Sequence, residues 1–295
     1  MFFRVLAVMA MIAACADRDD EPQKPRRLNL PMQEEPVADP SSSSVRKEPR
    51  PPVTKESLVE DGKHWRLSTK NGGVHVWTPR RYRAKRATAI VYVHGFYVNV
   101  DQSWEQYHLA TQFAASGINA MFIACEAPSG AGQPVSWKSL QELLATVEKS
   151  IDQEMPQRRV VAVGHSGAYR TLAGWLDDKE LDTVVLLDAA YGEIDQFQKW
   201  IKADEDHRLI NVGDLSTRPK ADKMHAGLPD SVVLDGFPSL QEGLPKSASR
   251  ARILYIKSTL GHFPLVTGGI ALPMILQTLR APRVLRKPLE ELVGP

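Results

Sequence analysis

Cysteine is scarce: two residues in 295, Cys15 and Cys125, and only one of them falls where a folded core can be expected. An internal disulfide is therefore excluded if Cys15 is used elsewhere, and stability has to come from apolar burial. Charge of one sign is also lacking. With 37 basic against 35 acidic residues the formal net charge is +2, too weak a field to make nucleic acid a partner. There is no Walker A loop, no GxGxxG after a strand, no HExxH and no paired CxxC, so the simplest nucleotide and zinc sites are excluded and no motif requires a cofactor or a metal. Apolar runs long enough to cross a bilayer are missing as well, because the N-terminal one, from Val5 to Ala14, is too short.

What that run does carry is a basic residue before it, Arg4, and a cysteine where it stops. This is the layout of a secretion signal. Ile12-Ala13-Ala14-Cys15 resembles a bacterial lipobox, and the resemblance implies a signal peptide over 1–15 and a lipidated Cys15 as the mature N-terminus. Ala16 rather than aspartate follows the cysteine, which in a Gram-negative host implies sorting to the outer membrane, facing the periplasm. From 16 to about 60 the chain is rich in Pro, Ser and charge, with little to bury, and is expected to be a disordered tether of roughly 40 Å end to end. One domain is left, 61–295.

Within that domain strand and helix patterns alternate, the mark of an α/β fold with a mostly parallel sheet and helices on both faces. Expected strands are 74–78, 89–93, 119–124, 159–163, 183–187, 208–212 and 252–256, and expected helices 103–115, 136–151, 169–176 and 195–202. The polar, Pro-containing stretch from Asp214 to Arg250 has weak periodicity and reads as a long excursion shaping a pocket mouth. Cys125 ends the apolar run MFIAC with no glycine turn around it and reads as a buried structural thiol.

A serine hydroxyl is a poor nucleophile at neutral pH, and it needs an imidazole to take its proton and a carboxylate to orient that imidazole. Gly164-His165-Ser166-Gly167-Ala168 lies between an apolar strand and a helix, where a sharp turn exposes Ser166 and small neighbours let the backbones approach. The fifth position is alanine, a departure from GxSxG, but still small. Among the eight histidines, His262 follows the last strand and precedes an apolar stretch. Two aspartates end strands between the serine and the histidine. Asp188 closes the fully apolar VVLL and is the first choice for the acid, since a carboxylate there needs a reason; Asp214 on the next strand is the alternative.

Through His94-Gly95-Phe96, the GHSGA turn, an aspartate in the right order and Gly261-His262-Phe263, residues 74–280 resemble the α/β-hydrolase superfamily of serine hydrolases. That resemblance implies Ser166 as nucleophile, His262 as base, Asp188 as acid, and an oxyanion hole made by the backbone N–H groups of Phe96 and Gly167, with His94 structural. The implied activity is hydrolysis of an acyl bond, an ester ahead of an amide or peptide bond in cell-envelope material. A catalytically silent binding lipoprotein is the rival reading. A membrane-surface lipase ranks third, because 223–245 offers only Leu228 and Phe237 for a lid.

Overall fold

In the computed structural model, which describes residues 56–284, the β-branched and aliphatic runs pair into one ten-stranded sheet. A meander opens it: β1 (Ser57–Val59), β2 (Gly62–Thr69) and β3 (Gly72–Pro79) are antiparallel neighbours. β1 falls inside the stretch expected to be tether, so ordered pairing begins a few residues earlier than 61. The remainder of the tether, the signal segment and Cys15 lie outside the described residues.

The chain then winds back and forth. β4 (Thr88–Val93) leads to α1 (Val100–Gln106) and α2 (Leu109–Ser116), and β5 (Ala120–Cys125) leads to α3 (Leu140–Ser150). β6 (Val160–His165) passes through a short 3-10 turn, Ser166–Ala168, into α4 (Tyr169–Gly174). β7 (Leu181–Leu187), α5 (Ile194–Ala203), β8 (Arg208–Gly213) and α6 (Arg218–Ala226) follow. The last units are β9 (Val232–Leu234), α7 (Lys246–Arg250), β10 (Ile253–Lys257), α8 (Pro264–Thr267) and α9 (Ala271–Leu276). The order across the sheet is β1-β2-β3-β5-β4-β6-β7-β8-β10-β9, and every pairing from β5 to β9 is parallel.

Strands covered on both faces are apolar at every position, and here successive residues divide between two cores. Ala89, Val91 and Val93 face the core shared with α3, α5 and α6, while Ile90 and Tyr92 face the one shared with α2 and α9. Cys125 is fully buried, and burial pushes its thiol well above the ordinary value, as befits a structural side chain.

Several expectations are refined. The single helix over 103–115 is two helices, because Asn99 and Gln102 form a capping box that starts α1 early and His108 adopts a left-handed φ of 48° between α1 and α2. The 214–250 excursion carries more regular structure than its weak periodicity suggests: it supplies α6, α7 and β9, and β9 extends the sheet edge beside β10. Leu228 is buried at 2% exposure within the core, which removes it from any lid. The 136–151 helix starts at Leu140, where Ser139 Oγ accepts the Glu142 N–H at 3.2 Å.

Candidate active site

Parallel winding brings the carboxyl ends of β4, β6, β7, β8 and β10 to one edge of the sheet, and all the candidate residues follow these ends: Phe96, Ser166, Asp188, Asp214 and His262. Ser166 has φ 53° and Asp188 φ 45°, left-handed conformations that non-glycine residues rarely hold without a reason. At Ser166 the strand stops and the chain turns at once into a helix, which lifts a half-buried hydroxyl above the sheet.

The turn explains its own sequence. A Cβ on Gly164 would lie 2.8 Å from Leu172 Cδ2 and 3.0 Å from Ala168 Cβ. Glycine at 164 is thus what makes room for the methyl group of Ala168, and alanine in place of the usual glycine keeps the turn intact. A Cβ on Gly95 would meet Ser166 Cβ at 2.7 Å, so the His94-Gly95-Phe96 loop lies directly against the serine. Tyr97 N–H donates to Ser129 O at 2.9 Å and pins the loop just after Phe96. His94 is fully buried, with Nδ1 2.7 Å from Gly95 O and Nε2 accepting the Ala127 N–H at 2.9 Å, the structural role expected for it.

Asp188 is completely buried and is the carboxylate that meets His262, Oδ2 to Nδ1 at 2.5 Å. Three further donors converge on it: the Asp214 backbone N–H on Oδ1 at 2.9 Å, Ser216 Oγ on Oδ2 at 3.2 Å, and Thr217 Oγ1 on Oδ1. Burial alone would raise this carboxyl, but the bonds from His262, Thr217 and the Asp214 amide outweigh it and hold the group below the ordinary aspartate value. Asp214, the alternative acid, does not reach the imidazole; its Oδ1 accepts the Gly261 N–H at 3.3 Å and so steadies the loop before His262.

His262 has a quarter of its side chain exposed (26%), and its ring centroid lies 4.5 Å from that of His165, the residue immediately before Ser166. His165 Nε2 donates to His262 O at 3.1 Å. Burial, and then the charge of His262, lowers His165 to about 3, so it stays neutral. Ser166 Oγ makes no hydrogen bond to another described side chain. Tyr191 stands edge-on to the His262 ring at 6.3 Å. Tyr97 (86% exposed), Leu215 (72%) and Phe263 (48%), neighbours in sequence of Phe96, Asp214 and His262, leave an apolar rim open to solvent.

His165, Ser216 and Thr217 were not singled out from sequence. Their partners are 97, 28 and 29 residues away, and no local pattern announces such contacts. Among the described residues no cluster of His, Cys, Asp and Glu could hold a metal, and no helix is long and apolar enough to cross a membrane.

No family model matches the chain, and no curated protein matches it either. Solved structures do. The protein FAE covers 77% of this chain and 92% of its own with a TM-score of 0.50 at 12% identity. A feruloyl esterase module from Clostridium thermocellum, complexed with sinapinate, gives 0.49 at 12% identity over 79% of this chain and 97% of that one. An S-formylglutathione hydrolase from Agrobacterium tumefaciens gives 0.46 at 11% identity over 78% and 99%. Likeness at such identities speaks for architecture alone. The mostly parallel ten-stranded sheet with helices on both faces is that of the α/β-hydrolase fold.

Proposed function

We propose that the chain is a serine hydrolase that cleaves carboxylic esters through an acyl-enzyme on Ser166. The observation that carries this reading is the Asp188–His262 pair at 2.5 Å, held beside the left-handed turn that presents Ser166. A buried carboxylate with four donors is costly to assemble, and its use here is to keep Nδ1 of His262 protonated and Nε2 free as a base.

In this mechanism Nε2 of His262 takes the Ser166 proton as Oγ attacks the acyl carbonyl, and the imidazolium is stabilised by Asp188. The oxyanion is received by the backbone N–H groups of Phe96 and Gly167; losing one such donor costs about 3 kcal/mol of transition-state stabilisation. The imidazolium then protonates the departing alcohol, and water activated by the same nitrogen releases the acid. Esters come ahead of amides because an alkoxide is easier to expel. The open rim of Tyr97, Leu215 and Phe263 suits an apolar acyl or alcohol part. Anchored through Cys15, the enzyme would meet acyl substrates at the cell envelope.

One observation favours a second reading, a binding protein on a hydrolase scaffold: the Ser166 hydroxyl is not bonded to His262. Such bonds are commonly loose before substrate arrives, and a scaffold has no use for an oriented imidazole. Short-chain nitrophenyl esters and the matching anilides separate the outcomes. Turnover of the esters, reduced at least about a thousandfold in Ser166→Ala, is expected; equal turnover by the variant contradicts the mechanism.

A further inference from the structure

The opposite edge of the sheet carries a feature that ester hydrolysis does not use. A cavity of about 410 Å3 opens under the amino ends of β4, β6, β7 and β8, walled by Arg158, Arg159, Arg208 and Arg280 with Asp182 and Asp206. It lies a strand length, roughly 20 Å, from the turn at Ser166. The chain as a whole is nearly neutral, so four guanidinium groups around one cavity are a local concentration.

Arg208 is the informative member. It is only 6% exposed, yet all its hydrogen bonds go to neutral oxygens: Nε to Ala251 O at 2.9 Å, Nη1 to Thr278 O at 2.8 Å, Nη2 to Ser249 O at 3.1 Å and to Thr278 Oγ1 at 3.3 Å. Among the described residues none of the four arginines sits in an ion pair. A buried cation whose hydrogen bonds all go to neutral oxygens is expensive to keep, and Asp182 in the same wall offsets only part of that cost. Burial first, and then the charge of Arg280, brings Arg208 down to about 10, with the carboxylate of Asp182 offsetting part of that effect.

The wall also holds an acceptor with nothing to accept. That acceptor is one atom, Asp182 Oδ1, which is buried without a hydrogen bond; burial raises this carboxyl, and Thr183 and the charges of Arg159 and Arg280 counter only part of that. A bare carboxylate or halide would meet the arginines but leave this oxygen unsatisfied, and Asp206 would repel it. A ligand that combines anionic oxygens with a hydroxyl answers both walls, and the volume exceeds what a lone anion fills.

We propose that this cavity is a binding site for a phosphate group borne on a small hydroxylated molecule, with the phosphate toward Arg159, Arg208 and Arg280 and a hydroxyl toward Asp182. The same chemistry occurs in free phosphorylated polyols and in a phosphoglycerol lipid headgroup.

Calorimetry of the full chain with glycerol 3-phosphate, at constant ionic strength and with acetate as control, tests the proposal. Saturable binding of glycerol 3-phosphate is expected, stronger than that of acetate and weakened at least about tenfold in the Arg159→Ala/Arg280→Ala variant. Both replaced residues are exposed, and circular dichroism checks that the fold is kept. Flotation with phosphatidylglycerol against phosphatidylcholine vesicles separates the sources: a phosphatidylglycerol preference that the double variant loses assigns the headgroup, and glycerol 3-phosphate binding without that difference assigns a soluble ligand. The absence of saturable binding in both arms, or equal binding by wild type and variant, overturns the site.

Discussion

Asp188 and Asp214 end adjacent strands, and the contrast between them is the sharpest residue-level statement the site makes. Asp188 bonds the imidazole, whereas Asp214 bonds the Gly261 amide and offers its own N–H to Asp188. Asp188→Asn is therefore expected to lower kcat for nitrophenyl esters by about ten-thousandfold, since an amide can present the wrong group to Nδ1 and invert the tautomer. Asp214→Asn, which keeps the backbone N–H and an acceptor oxygen, is expected to cost no more than about tenfold. Steady-state kinetics on both variants checks this; a larger loss at 214 than at 188 would reverse the assignment. The placement of Ser166, Asp188 and His262 at the ends of strands was legible in the sequence because each follows an apolar run. The donors that hold Asp188, and the His165 bond to the His262 carbonyl, were not, because they join segments far apart in the chain.

Among the elements, the turn from β6 into α4 has the least freedom. Position 164 must lack a side chain because Leu172 and Ala168 crowd it, so Gly164→Ala is expected to destabilise the fold by about 1–3 kcal/mol. Ala168→Gly restores the commoner pattern and deletes only a buried methyl at the head of the helix, with an expected loss of about 1 kcal/mol and ester hydrolysis retained. Urea titration of the two variants distinguishes them; equal losses would mean that the crowding at 164 is relieved elsewhere. The buried strands were readable from their apolar runs. The break at His108 was not, because apolar spacing continues across it and only a left-handed residue in the middle divides α1 from α2. Nor was β9: three residues at the sheet edge carry no period of their own and are fixed by pairing with β10.

For the molecule as a whole, buried titratable groups set an acid limit on stability. Burial is the first cause that lowers His64 to about 4, His225 to about 4 and His165 to about 3. Unfolded, each would take a proton below about pH 6.5. Their folded pKa values are depressed, so their contribution is fully present above that pH and is lost as pH falls toward 4 and 3. Asp188, also depressed, adds a loss of the same sign below about pH 4. Urea midpoints are therefore expected to drop steadily from pH 6.5 to 4, and a flat profile over that range would show that these imidazoles are not neutral when folded. The proposed nucleophile, base and acid follow the ends of three strands of one sheet, β6, β10 and β7. The most direct measurement is labelling of the full chain with a fluorophosphonate, followed by mass-spectrometric mapping of the adduct. A single adduct on Ser166, absent in Ser166→Ala and slowed at least about a hundredfold in His262→Ala, is the expected result; no adduct, or one on another residue, contradicts the account.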